Sequence, residues 1–153
     1  MSVWTRADGH SVSDEAARID RERVYGWLSR DAYWSADIPR AVFERSVDGA
    51  MCFGIYAPDG LQVGFARVMT DRATFGYLGD VFVVPELRGR GLSKFLLDTI
   101  FAHPDLQGFR RWLLVTRDAQ SLYARYGFEP LVGPERFMER ADPQVYKRLK
   151  AGE

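Results

Sequence analysis

The chain has 153 residues, of which 46% are hydrophobic and 27% charged, an ordinary balance for one globular domain able to bury a core without staples. Its 21 basic and 21 acidic residues give zero formal net charge, which argues against a general binder of nucleic acid or anionic membrane. The single cysteine, Cys52, excludes an internal disulfide and fits a reducing cytoplasm. No basic n-region with an apolar h-region opens the chain, and no apolar run approaches about 18 residues, so neither secretion nor membrane spanning is expected.

Residues 1–13 are short and polar, with Trp4 in a brief first strand. A helix is predicted from Asp14 or Ile19 to Ser29, because Ile19, Arg23, Val24, Trp27 and Leu28 form one stripe. The aromatic connection Asp31–Ser35 follows, then a helix from Pro39, at its favoured first position, to Val47, stopped by Asp48-Gly49. Three antiparallel strands come next: Ala50–Tyr56, Leu61–Met69 and Thr74–Val84, the first two joined by the hairpin signal Pro58-Asp59-Gly60. Cys52 lies between Met51 and Phe53 in an apolar run and is assigned to the core.

Pro85 ends the third strand, and Gly89 and Gly91 make a short turn. Leu92, Phe95, Leu96, Thr99 and Ile100 then share one face of a helix over 90–102, closed by His103-Pro104. Residues 111–115 read as a short buried strand. Asp118 is the predicted N-cap of a helix over 119–125 that stops at Gly127. Phe128–Leu131 and Arg136–Arg140 are candidates for a strand pair, and 142–153 for a loosely ordered tail. Helices, antiparallel strands, then strand–helix–strand–helix–strand amount to an α+β, mixed-sheet layout in a single domain over 1–153.

A strand feeding a glycine-rich turn at a helix N-terminus is suited to an anion. The first helical N–H groups have no internal partner, the dipole adds positive charge there, and Arg88 and Arg90 add full charges. The sequence does not fit the Walker pattern or the three-glycine dinucleotide fingerprint. Arg88-x-x-Gly91-x-Ser93 resembles the diphosphate loop of the GNAT superfamily of N-acetyltransferases, with Ser93 in place of the usual Gly or Ala. Leu122-Tyr123-x-x-x-Gly127-Phe128 resembles the family's second motif, with Leu122 in place of an aromatic residue. The resemblance covers roughly residues 50–130; before that, only a pair of helices corresponds.

The resemblance implies a mixed, mostly antiparallel sheet splayed at its centre, with residues 50–140 as the CoA-binding core and 1–48 as an acceptor-side helical region. Acetyl-CoA is the implied co-substrate. Its pantetheine would pair with backbone groups of Phe82, Val83 and Val84, and its diphosphate would sit on Arg88, Gly89, Arg90, Gly91, Leu92 and Ser93. Thr116 stands where many members carry a pantetheine-contacting Asn.

The implied chemistry is direct attack of an amine on the thioester. Tyr123 is the implied general acid, with Tyr126 as its alternative, and the N–H of Phe82 or Val83 the oxyanion donor. Asp80 interrupts an apolar strand on the face counted to hold Leu78, Phe82 and Val84. A carboxylate there needs a partner or a cleft, so it reads as a substrate-binding or water-mediated basic group, or as the partner of Arg67 on the neighbouring strand.

Tyr33, Trp34 and Phe75 are candidate walls of the acceptor pocket. Glu86 is expected to be solvated, and His10 and His103 are too isolated for a metal or triad, so no metal is assigned. The expected partner is a small-molecule or peptide amine, with neither nucleic acid nor membrane. A homodimer fits the family, though no residue requires it. Competing functions are a non-catalytic CoA-binding sensor, transfer from another acyl-CoA, or transfer to a hydroxyl.

Overall fold

The computed structural model describes residues 2–152. Six strands form one sheet in sequential order: β1 (Val3–Thr5), β2 (Ser11–Ser13), β3 (Met51–Tyr56), β4 (Gln62–Thr70), β5 (Phe75–Val83) and β6 (Arg111–Leu113). Neighbours are antiparallel through β5, and β5 pairs with β6 in parallel. The helices are α1 (Arg21–Gly26), α2 (Arg40–Asp48), α3 (Leu92–Ala102), α4 (Gln120–Ala124) and α5 (Val145–Ala151). None is long and apolar enough to cross a membrane among the described residues. The fold is the expected α+β single domain with a mixed, mostly antiparallel sheet.

Helices cover both sheet faces. On one, α3 brings Leu92, Leu96, Leu97 and Ile100 onto Phe53, Ile55, Ala66, Val68 and Leu78, with Tyr123 of α4 at the margin. On the other, Val24, Leu28 and Phe43 of the α1–α2 side meet Cys52, Phe65 and Phe82. Each fully buried Leu, Ile or Phe contributes about 1.5–3 kcal/mol of transfer free energy. Burial also pushes the Cys52 thiol up to about 12, as expected of an inert core cysteine.

Several expectations change. The N-terminal segment holds a second strand, β2, and its hairpin with β1 closes through Arg6 N–H to the His10 carbonyl (2.8 Å). Asp20 caps α1 by accepting the Arg23 N–H at 3.1 Å, and α1 continues as a π turn over Trp27–Asp31. Pro39 sits at the N-cap of α2 instead of its first helical turn, with extended ψ of 145°. Residues 128–140 form no strand pair: a 3-10 turn at Pro134–Arg136 interrupts them, and Phe137 lies under the Arg111 guanidinium of β6. The expected loose tail contains α5, whose Tyr146 packs on the α1–α2 core.

A buried pair ties the first hairpin to the far end of α3. The His103 Nδ1 accepts the Asp105 N–H (3.1 Å), which leaves the ring proton on Nε2 to donate to Asp14 Oδ2 at 2.7 Å. Both side chains are under 10% exposed, at 6% and 7%. Burial alone would raise the Asp14 carboxyl, but the bonds from His103 and the Ser2 N–H bring it below its ordinary value. The carboxylate therefore contributes stability above the unfolded value of about 4, lost as pH falls through the lower folded value. Asp14→Asn should cost about 1.5–3 kcal/mol at neutral pH. Urea denaturation at several pH values should show that difference shrinking on acidification.

Candidate active site

Pairing between β5 and β6 is confined to Phe75–Arg111, Gly76–Trp112 and Tyr77–Leu113. Beyond Tyr77, β5 runs on to Val83 with no strand on that edge, so the sheet parts there, as expected of a splayed centre. The β4–β5 register also shifts: Arg67 faces Gly79 and Phe65 faces Phe82, so Asp80 and Val81 together oppose Ala66. Asp80 has φ of +54°, in the left-handed region that a non-glycine residue seldom occupies. This is a β-bulge.

The bulge corrects the face count. Leu78 packs in the α3 core and Phe82 in the α1–α2 core, so the two do not share a face. Asp80 meets Arg67 Nε through Oδ2 (2.5 Å) and Trp34 Nε1 through Oδ1 (2.7 Å). The ion pair with Arg67 is present, and the carboxylate is only 10% exposed.

The backbone of β5 sorts the three expected pantetheine partners. Val84 donates to the Val63 carbonyl at 3.0 Å, across β4. By the alternation of antiparallel pairing, Phe82 also turns toward β4, and only Val83 turns both its N–H and its carbonyl toward the splay. Arg88 Nε donates to that Val83 carbonyl at 2.9 Å, and its guanidinium lies over the Phe82 ring. Phe82 also stacks against Trp27.

After a 3-10 turn over Pro85–Leu87, the chain enters the glycine loop. Gly89 and Gly91 take φ of +79° and +76°, conformations open to glycine at little cost. Among the described residues the N–H groups of Gly89 through Lys94 have no hydrogen-bond acceptor, and the first helical bond of α3 runs from Phe95 N–H to the Gly91 carbonyl. Six consecutive free amides at a helix N-terminus, with Arg88 just before them and Arg90 among them, suit a polyanion.

The two tyrosines separate. Tyr123 is 8% exposed in the α3-side core, burial holds its hydroxyl pKa above the ordinary value, and that hydroxyl has no partner among the described residues. The Tyr126 hydroxyl donates to Asp98 Oδ1 (2.8 Å) and lies 3.2 Å from the Lys94 carbonyl. Burial and then Asp98 push its pKa upward. Asp118 does not cap α4: the helix's N-cap is Ala119, with no side-chain cap bond, and Thr116 Oγ1 accepts the Ala119 N–H at 3.1 Å in the loop before it.

Of the expected acceptor walls, Tyr33 and Trp34 meet edge to face, and the Arg117 guanidinium lies 3.9 Å over the Tyr33 ring. They bridge the two arms of the splay, since Arg117 follows β6 while Asp80 belongs to β5. With Ala36 and Asp37 they face residues 142–147 across a recess of about 400 Å³. Phe75 does not join them. It begins β5 at the paired end, five residues before Asp80, roughly 16 Å along a strand. A recess of about 480 Å³ on the outer edge of β6 contains none of Asp80, Tyr123 or residues 82–93.

The family model described as an acetyltransferase (GNAT) domain matches residues 49–130. This chain belongs to the GNAT acetyltransferase family. A crystal structure from Xanthomonas campestris pv. campestris, provisionally assigned as a GNAT-family acetyltransferase, is 52% identical with TM-score 0.87, covering 90% of this chain and 96% of that one. A provisionally named acetyltransferase of Gibberella zeae is 31% identical over 143 residues, covering 80% of this chain and 79% of the relative. An acetyltransferase of Clostridium acetobutylicum, assigned by prediction and solved with acetyl-CoA, shares the fold at 14% identity and TM-score 0.62, covering 86% of this chain and 94% of that one. Acyl transfer from acetyl-CoA is the activity class of the family.

The Arg67–Asp80 pair is the part of this region most open to a stability measurement. Removing one partner of a buried pair costs about 3–5 kcal/mol. Arg67→Met should approach that loss in denaturant unfolding, and Arg67→Met combined with Asp80→Asn, which removes the stranded charge and keeps a side chain tolerated at the left-handed φ, should recover part of it. Additive losses would mean that the two side chains are not coupled.

Proposed function

We propose that the protein is a cytoplasmic acetyl-CoA-dependent N-acetyltransferase acting on a small-molecule or peptide amine. The observation that carries the proposal is the run of free amides from Gly89 to Lys94, which follows Arg88 and includes Arg90, at the end of a strand that has parted from its neighbour. The diphosphate binds that run. The pantetheine enters the splay and pairs with Val83, whose carbonyl Arg88 gives up on binding. Arg88 thereby exchanges a neutral acceptor for an anionic one, and charge-assisted bonds are the stronger.

The acceptor reaches the thioester from the Tyr33–Trp34 side. An alkylammonium, with an ordinary pKa near 10.4, first loses a proton to water. The neutral nitrogen then attacks the thioester carbon, forming the C–N bond. The Val83 N–H, directed into the splay, stabilises the oxyanion. Collapse breaks the C–S bond, and the thiolate takes the Tyr123 proton. Loss of the second nitrogen proton through water restores Tyr123, giving amide and free CoA. Burial keeps the Tyr123 hydroxyl protonated at neutral pH, as a donor to sulfur requires. Asp80, committed to Arg67 and Trp34, holds the bulge and the aromatic wall and is not the base.

Tyr123→Phe should lower turnover by about 100-fold, within the usual range for general acid catalysis, while CoA binding stays within about twofold. Thiol release from acetyl-CoA over a panel of amines, beside calorimetry with CoA, measures both. Unchanged turnover would remove Tyr123 from the mechanism. CoA binding without thiol release for any amine would favour a sensor domain.

A further inference from the structure

The tip of the β1–β2 hairpin touches the glycine loop through one side chain. Arg6 Nη1 donates to the Arg90 carbonyl at 3.0 Å, across 84 residues of chain. A Cβ placed on Gly91 would lie 3.4 Å from the same nitrogen, so the guanidinium is in contact with the loop backbone. Arg6 is itself held. Its Nε donates to Asp8 Oδ1 at 3.1 Å and its Nη2 to Asp8 Oδ2 at 2.6 Å. Asp8 Oδ1 also accepts the His10 N–H (3.1 Å), and the turn closes through Gly9 N–H to the Arg6 carbonyl (2.9 Å).

In a trans peptide the carbonyl and the following N–H point opposite ways within one plane, and there is no cis peptide bond among the described residues. Fixing the Arg90 carbonyl toward Arg6 therefore turns the Gly91 N–H the other way. That peptide joins Arg90 to Gly91, and the left-handed φ of Gly91, like that of Gly89 one residue before Arg90, lies where a glycine backbone is least constrained. No other side chain from outside residues 83–93 hydrogen-bonds the backbone of the loop among the described residues. We infer that Arg6 is a positioning residue for the diphosphate loop. It fixes the Arg90–Gly91 peptide so that the Gly91 N–H meets the anion without reorganisation. The inference rests on the CoA-binding function proposed above.

Orientation, more than charge, is the contribution. Asp8 already balances the Arg6 charge, and the bonds to Asp8 and Arg90 use the planar fork that a lysine lacks. Arg6→Lys should therefore behave like Arg6→Gln, whereas a purely electrostatic role would be rescued by lysine. Asp8→Asn keeps Arg6 but loosens it, and should give a smaller loss.

Calorimetry on the full chain with CoA tests this. Arg6→Gln and Arg6→Lys should each raise Kd about tenfold, and Asp8→Asn about threefold. With an acceptor from the amine panel, KM for acetyl-CoA should rise with kcat held, while KM for S-acetylpantetheine, which has no diphosphate, should not move. Wild-type affinity in both Arg6 variants, or rescue by lysine alone, would overturn the inference and leave the proposed function standing. Equal losses with S-acetylpantetheine would also overturn it, because the damage would then not be at the diphosphate. If Arg6→Gln fails to fold, the same donor comparison on Asp8→Asn decides. Absence of any heat with CoA in the wild-type chain would overturn both.

Discussion

The parting of β5 from β6 after three paired residues is the constraint on which the rest of the molecule depends. A strand edge that loses its neighbour inside a fold leaves peptide groups that water, a side chain or a ligand must satisfy. Here the Val83 carbonyl takes the Arg88 guanidinium, a local partner only five residues away. The same parting leaves the chain after β5 free to turn through Pro85 into the glycine loop and start α3 beneath the opened edge. Splay, free amides and arginines thus follow from one local loss of pairing.

The bulge at Asp80 sets what faces the opening. One extra residue on β5 restores the parity of Phe82 with Phe65 on the α1–α2 side, where Phe82 stacks on Trp27. Without it, the residues from 81 onward would exchange faces. Because φ of +54° is strained for an aspartate, surrounding contacts must hold it. Those contacts come from Arg67 on β4 and from Trp34 in the segment that follows the π turn. The connection after α1 and the bent strand are therefore braced by the same carboxylate.

The segment from strand to glycine loop to helix was readable in the sequence because each of its signals is local: β-branched residues, Pro85, two glycines, then a helical stripe. The three central strands were readable through their hairpin turns for the same reason. The bulge was not. Counting by twos along β5 puts residues 78, 80, 82 and 84 together, and only the partner strand shows that the count slips. Asp118 is passed over as the α4 cap because the N-cap falls one residue later, at Ala119, with Thr116 holding the Ala119 N–H in the loop before it, a geometry that composition does not encode. The seven residues of α5 are stabilised by Tyr146 docking on a distant core, so their own propensity said little. Arg6 looked like one more polar residue in a polar segment. Its contact spans 84 positions, and the sequence marked only its Arg90 end.

A CoA whose pantetheine is held extended along a strand edge has its thioester at a set distance from its diphosphate, so a transferase that holds one end must also fix the distance to its acid. On the proposed mechanism α3 serves as the ruler. Its N-terminus carries the free amides, and its second turn carries Asp98, to which the Tyr126 hydroxyl is bonded. Tyr126 thereby ties the end of α4 to α3, and Tyr123 lies three residues earlier on α4. The committed hydroxyl of Tyr126 and the uncommitted one of Tyr123 are complementary on the proposed mechanism. Tyr126 sets the position of α4 relative to the anion site, and Tyr123 keeps its proton for sulfur. A looser Tyr126 would leave both motifs intact and the distance between them undefined.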